Sequence, residues 1–425
     1  MSGVWSRKIE KHYHLRISPE LASWFDDGLW RHHGQSEFRY PLHPEQFIEP
    51  VDGTIWAGFM LPDTLPIVGN KYGDWLCLRV SPEGQATEII CWNHGGGDWV
   101  PYGRKLSEAL FYDAFLAGRA PYGIEQAPVV GDKTACPTVR WAWNWMVRTH
   151  PKLEPSLDQL CAAAPAITDR LLAAGVAETV IRRDKMLLAL DSPLKSCSVP
   201  ESARRLGVPW EPEFVRWIFD TDLIPSPARE ALRQLYPQYS CSLFSQDWSS
   251  AEQQALAVIR SRQDLGWPFD IAGWAAERRN DFSRAIDLYD QGVRTSLFAD
   301  EGVRFRTHWY PEGLGKFAAA RLDHLRHHLP PRLRDDQYLH VFWENDPSTL
   351  RHRLREYWLH RARQHFRDNR YMQAYHCYCQ AGWDSGSSGL DVYAEILEGI
   401  VASATASGSS ALCSVARTHR RFLTD

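Results

Sequence analysis

Residues 58–78 read Gly-Phe-Met-Leu-Pro-Asp-Thr-Leu-Pro-Ile-Val-Gly-Asn-Lys-Tyr-Gly-Asp-Trp-Leu-Cys-Leu. Proline fixes φ and drives the residue before it into an extended conformation, so Leu61-Pro62 and Leu65-Pro66 describe a non-helical segment. Asn70, Gly73 and Asp74 then supply a turn, and Trp-Leu-Cys-Leu-Arg-Val leaves it as a strand. Alternation along that strand puts Leu76 and Leu78 on one face and Trp75 and Cys77 on the other. Leu65, Ile67, Leu76 and Leu78 are the expected core. A second turn at Pro82-Glu83-Gly84 leads to a further strand over Glu88 to Trp92, and an amphipathic helix is expected near Leu106 to Leu116.

Upstream, Ser18-Pro19-Glu20 offers an N-cap, a first-turn proline and an early acid for a helix running to about His32. Pro41-Leu42-His43-Pro44 breaks the chain before the sheet region. Downstream, Gly95-Gly96-Gly97-Asp98 reads as a flexible turn, and residues 120–137 as a linker. Residues 155–245 show short helical patterns (157–164, 167–174, 177–189, 200–206, 212–220, 227–235) separated by Pro or Gly. The last third holds an echo at a shift of 89 residues: Phe269, Gly273, Phe282, Ala285, Tyr289 and Gly292 recur as Trp358, Ala362, Tyr371, Ala374, Tyr378 and Ala381. Each set describes a helix, a tight turn (Asn280-Asp281, Asn369-Arg370) and a second helix. Leu314 to Leu325 reads as a helix between the two sets.

The 425 residues exceed one ordinary core and suggest two or three domains. Residues 1–125 hold 11 Lys+Arg against 16 Asp+Glu, whereas 126–250 hold 14 of each and 251–425 hold 23 against 22. The net charge of −4 therefore originates in the first part. An acidic surface repels phosphate backbones and attracts basic ones, which argues against nucleic acid and for a basic protein partner. Nine scattered cysteines (Cys77, Cys91, Cys136, Cys161, Cys197, Cys241, Cys377, Cys379, Cys413), a polar start and no long apolar run point to reduced thiols in a cytoplasmic protein away from membranes. Of the 19 tryptophans most should pack the core, with Trp5, Trp30 and Trp99 as candidate surface anchors.

Catalytic constellations are not evident. Asp98-Trp99-Val100-Pro101 follows the glycine-rich turn in place of the Lys and Ser/Thr a phosphate loop requires. His12-x-His14, His32-His33, His327-His328 and Cys377-x-Cys379 lack the paired spacing of structural zinc sites. Asp63 and Asp74 are fixed within the motif. Asp74 is read as a structural acceptor of backbone N–H groups at the strand entry. No cofactor and no metal is expected.

The order Leu-Pro-x-x-Leu-Pro-Ile-x-x-Asn-x-x-Gly-Asp-x-Leu-x-Leu, carried by Leu61, Pro62, Leu65, Pro66, Asn70, Gly73, Asp74 and Leu76 and followed by Trp92-Asn93-His94, resembles the core signature of the SUKH superfamily, the Smi/Knr-like domains. The likeness covers about residues 20–120. It implies an α+β domain over residues 1–125, with a mostly antiparallel sheet from the 54–92 region covered by helices near 19–32 and 106–116. A linker and small helical region (126–250) and a helical domain (251–425) complete the expected architecture. The echo in the last third resembles the tetratricopeptide repeat, although its 89-residue shift departs from the 34-residue period. The resemblance further implies a non-enzymatic, protein-binding role: a bacterial immunity protein that neutralises a toxin, or alternatively an adaptor or cell-wall regulator using the helical region for a second partner. The expected partner-binding face joins the Asn70-Lys71-Tyr72 turn to the Gly95–Trp99 loop, with Asn70, Tyr72, Asp98 and Trp99 as its residues.

Overall fold

A computed structural model of the chain describes residues 4–31, 36–117, 137–148, 150, 164–191, 194, 199–208, 217, 219–237, 246–296, 300, 302–303, 316–344, 347–385 and 390–424. The fold is α+β: an antiparallel sheet near the N-terminus precedes a mainly helical region. The expected linker at 120–137 and the helical patterns at 157–164 and 212–220 lie wholly or largely outside the described residues.

The five strands are β1 (Tyr40–Pro41), β2 (Thr64–Gly69), β3 (Trp75–Val80), β4 (Ala86–Trp92) and β5 (Trp99–Gly103). They follow one another as an antiparallel meander in the order β1-β2-β3-β4-β5. The Asn70–Asp74 and Pro82–Gly84 turns fall where proline and glycine punctuation placed them. Leu65, Ile67, Leu76 and Leu78 are buried, as the alternation required. The sheet is wider than the 54–92 region: Tyr40-Pro41 pairs with Val68 and Gly69 as an edge strand, and β5 pairs with β4. A proline is tolerated at Pro41 because an edge strand leaves one row of backbone donors unpaired.

One row crosses all five strands at a single end of the sheet: Tyr40, Gly69, Trp75, Trp92 and Trp99 are successive cross-strand partners. Gly69 is the gap in this row, and the Trp75 ring lies over it, 3.0 Å from where a Cβ would stand. The open side of a glycine in a strand is thereby covered by a neighbouring aromatic, which restores the packing that the missing side chain forgoes.

Around the sheet run α1 (Val4–Tyr13), α2 (Pro19–Asp26), α3 (Pro44–Ile48), α4 (Leu106–Ala117) and α5 (Pro137–Val147). Ser18 caps α2 by accepting from the Leu21 amide, with Pro19 in the first turn, as its sequence dictates. That helix ends at Asp26, and a 3-10 turn at Leu29–Arg31 follows among the described residues. Glu20 of α2 accepts from the Ser107 amide at 2.7 Å and so caps α4 from a neighbouring helix. Trp145 of α5 stacks on Trp24 and Trp143 meets Phe111 of α4, which ties α5 to the sheet region.

The remaining helices are α6 (Ala164–Ala174), α7 (Glu178–Ala189), α8 (Val199–Leu206), α9 (Ser226–Leu235), α10 (Trp248–Ser261), α11 (Trp267–Arg278), α12 (Phe282–Val293), α13 (Phe317–His324), α14 (Pro331–Arg334), α15 (Gln337–Glu344), α16 (Pro347–Arg367), α17 (Tyr371–Ser385), α18 (Leu390–Ala406) and α19 (Ser410–Thr424). They do not sort at residues 125 and 250. One compact unit comprises residues 1–181 together with 355–425, and the other comprises 182–354. The physical reason is the shared core. A single buried cluster includes Leu65, Leu76 and Phe111 together with Tyr393, Ile396 and Leu412 from the C-terminal helices. His419 Nε2 lies 2.7 Å from the Thr64 carbonyl, and the Ser409 hydroxyl donates to the Pro82 carbonyl.

The 89-residue echo is a repeated helix turn. Asn280 and Asn369 both take a left-handed conformation, at φ 61° and 60°. In each turn the amide of the Asn donates three residues back (to Glu277 and to Phe366), and the next amide donates five residues back (to Ala276 and to His365). Both are Schellman-type helix ends with Asn in place of Gly. The echo stops at the aromatic. Tyr289 lodges against Gly273 of the preceding helix, its ring 2.5 Å from the missing Cβ, whereas Tyr378 packs on Gly399 of the following helix. Gly273→Ala should therefore overpack the α11–α12 contact and lower stability by about 1–3 kcal/mol in urea unfolding. An unchanged midpoint would remove Tyr289 from that role.

The unit of residues 182–354 carries a buried polar cluster. Glu277 accepts from the Tyr289 hydroxyl at 2.9 Å and from Arg321. Lys316 donates to the Val293 and Thr295 carbonyls and to the Tyr338 hydroxyl. The Asp270 carboxyl lies inside, although the residue keeps some exposed surface, and burial pushes its pKa up to about 8 against the opposing pull of Lys316. The folded chain therefore holds a proton that the unfolded chain releases, and this contribution to stability falls as pH rises from about 4 to about 8. Asp270→Asn removes the titration. Its unfolding free energy should gain on the parent's through that window, by on the order of a few kcal/mol in urea titrations between pH 5 and 9. Parallel pH profiles would show that Asp270 is ionised throughout.

Candidate partner-binding surface

The antiparallel meander brings the β2–β3 and β4–β5 turns to the same end of the sheet. The first is an Asn-centred turn. The Asn70 side-chain oxygen accepts from the amides of Tyr72 and Asp74, both at 2.9 Å, and its Nδ2 donates to Asp74 Oδ2 and to Glu37. Gly73 sits at φ +94°, a conformation that a side chain would strain. Asp74 then bridges to the second turn: its Oδ1 accepts from the His94 amide at 2.9 Å and lies 3.0 Å from His94 Nδ1. The structural reading of Asp74 as an acceptor at the strand entry is met by this contact. Asn70 is buried and acts as the frame of the turn.

What the frame presents is aromatic. Tyr72 is 56% exposed, with Lys71 Nζ 4.7 Å from its ring centroid. Trp56 is 37% exposed and lies 6.2 Å, centroid to centroid, from the exposed His94 ring. It leans on buried Trp92 at 5.9 Å, and its Nε1 donates to the Gly53 carbonyl. Tyr40, at the edge of the cross-strand row, is also exposed. Trp56, His94 and Tyr72 thus form one rim at the turn end of the sheet, with Glu37 and Arg39 exposed beside the edge strand.

Two expected surface residues are corrected. Trp99 is 1% exposed and Asp98 is fully buried. The reason is that residues 93–98 form a tight turn, closed by Asn93 N donating to the Asp98 carbonyl and Gly97 N to the Asn93 carbonyl. Trp99 is thereby the first residue of β5, paired with Trp92, and the Arg79 guanidinium lies 5.1 Å from its ring centroid. Its place at the turn end of the sheet is taken by Trp56 and His94. Leu61, Pro62, Leu65, Pro66, Leu76 and Trp92 are buried, and Trp92 Nε1 donates to the Phe59 carbonyl at 3.0 Å. Among the described residues no three His, Cys, Asp or Glu side chains converge on a metal position.

No family model, curated protein or solved structure matches this chain. Rigid turns hold two large aromatics and an imidazole in the open, next to charged side chains of both signs. Aromatic anchors of this kind dominate the energetics of protein–protein contacts, because they bury large area at low entropic cost. Among the described residues, Cys77, Cys91, Cys377, Cys379 and Cys413 are buried. No described helix is long and apolar enough to cross a membrane.

Proposed function

We propose that the chain is a non-enzymatic, protein-binding protein of the SUKH type, a cytoplasmic bacterial immunity protein that neutralises a toxin by binding it. The observation that carries the reading is the rim of Trp56, Tyr72 and His94, fixed at one end of the sheet by the Asn70 and Asp74 hydrogen bonds. The residue order from Leu61 to Leu78 supports the family, and the acid excess of residues 1–125 supports a basic partner. Co-expression with the toxin encoded beside its gene should restore growth of sensitive cells. Growth arrest that persists despite soluble expression of the chain would sink the immunity reading.

A further inference from the structure

Trp5 lines a cleft of about 420 Å³ between α1 and α3. Its backbone amide and that of Ser6 donate to Asp26 Oδ1, which fixes the start of α1. The two helices are then pinned to one another at both ends. The Trp5 ring meets His43, the residue that caps α3, edge-on at 5.7 Å between centroids. At the other end the Tyr13 hydroxyl donates to the Phe47 carbonyl at 2.8 Å. The walls of the cleft are therefore set by the fold itself.

Those walls carry opposite charge. Lys8 and Lys11 come from α1, Glu45 and Glu49 from α3 and its C-terminal end. All four are exposed, and among the described residues none of them closes an ion pair. Trp5 and Ile48, both half-buried, add apolar lining. Lys8 Nζ lies 4.4 Å from the Trp5 ring centroid, which sets one cation beside the indole. His12 lines the same cleft. Burial, then Arg421, push its pKa down against the pull of Glu49, so at neutral pH it offers hydrogen bonds rather than charge.

We propose that this cleft binds a short zwitterionic peptide of dipeptide size, with its carboxylate at Lys8 and Lys11, its ammonium at Glu45 and Glu49, and an apolar side chain against Trp5 and Ile48. The volume falls within the roughly 300–1,000 Å³ of small-ligand clefts. A polyanion would meet the two glutamates and a polycation the two lysines, so walls of opposite sign reject both. A dipeptide separates its two charges by about 7 Å, and one such ligand satisfies both walls at once. The cleft shares no residue with the rim of Trp56, Tyr72 and His94, and the inference does not depend on the immunity reading.

The test is a saturation-transfer NMR titration of the full chain with the dipeptide Ala-Phe, its N-acetylated form and its C-terminal amide. Ala-Phe should bind with a Kd on the order of a millimolar or below. Each blocked form should bind roughly three- to tenfold more weakly, the range of one or two exposed ion pairs. Lys8→Gln with Lys11→Gln should erase the preference over the amide and keep the preference over the acetylated form. Glu45→Gln with Glu49→Gln should do the reverse, both with unchanged thermal midpoints. Where a double variant lowers the midpoint, Lys11→Gln or Glu49→Gln alone is read in its place, with a partial loss of the same preference expected. Equal affinity for the three peptides, preferences that persist in both variants, or no saturable binding below about 10 mM would overturn the proposal.

Discussion

A chain carrying Trp56→Ala and Tyr72→Ala is expected to keep its fold and lose its partner. Both side chains are exposed; the turn beneath Tyr72 is held by Asn70 and Asp74, and removing Trp56 gives up one exposed hydrogen bond, from its ring to the Gly53 carbonyl. Truncating a central aromatic anchor typically costs 2 kcal/mol or more, so the pair should weaken capture on the order of a thousandfold if the two losses add. The measurement is titration of the proposed toxin partner by calorimetry, with circular dichroism run on the same samples. Asp74→Ala serves as the contrasting variant: it unties the two turns and should lower the melting point as well as the affinity. An unaltered dissociation constant in the double variant would exclude this end of the sheet as the binding surface.

Residues 1–125 expressed alone are expected not to fold cooperatively. The buried cluster around the sheet draws Tyr393, Ile396, Leu397, Ile400, Leu412 and Val415 from the last two helices. Burying one large aliphatic side chain contributes about 1.5–3 kcal/mol, and whole domains are stable by only about 5–15 kcal/mol. Removing these six side chains alone therefore costs about as much as the whole margin, before the loss of the His419 and Ser409 contacts is counted. Near-ultraviolet circular dichroism and urea unfolding of the fragment provide the check. A sharp transition close to that of the full chain would restore a boundary near residue 125.

The sheet was legible because its signals are local. The prolines at 62 and 66, the Asn-x-x-Gly-Asp turn and the alternation from Trp75 to Leu78 act within a few residues of one another, and the structure follows them. The juxtaposition of the 70–74 and 93–98 turns was legible for the same reason, since a meander returns alternate turns to one end. Trp99 was misplaced because three consecutive glycines suggest looseness, whereas two backbone hydrogen bonds close the turn and start a strand. Trp56 went unnoticed because residues 50–63 carry no strand or helix periodicity. The packing of α18 and α19 with the sheet could not be read at all: contacts more than 300 residues apart leave no trace in either segment's own pattern.

The unit that contains the sheet is assembled from both ends of the described chain, with residues 182–354 intervening. During synthesis the first 181 residues emerge with their apolar surface incomplete. At about 5–20 residues per second, the ribosome needs roughly 10–50 s more to deliver residues up to 425. For that interval the nascent chain exposes the sheet's unfinished core, so its yield in cells should depend on chaperone capacity and rise when translation of the intervening segment is faster.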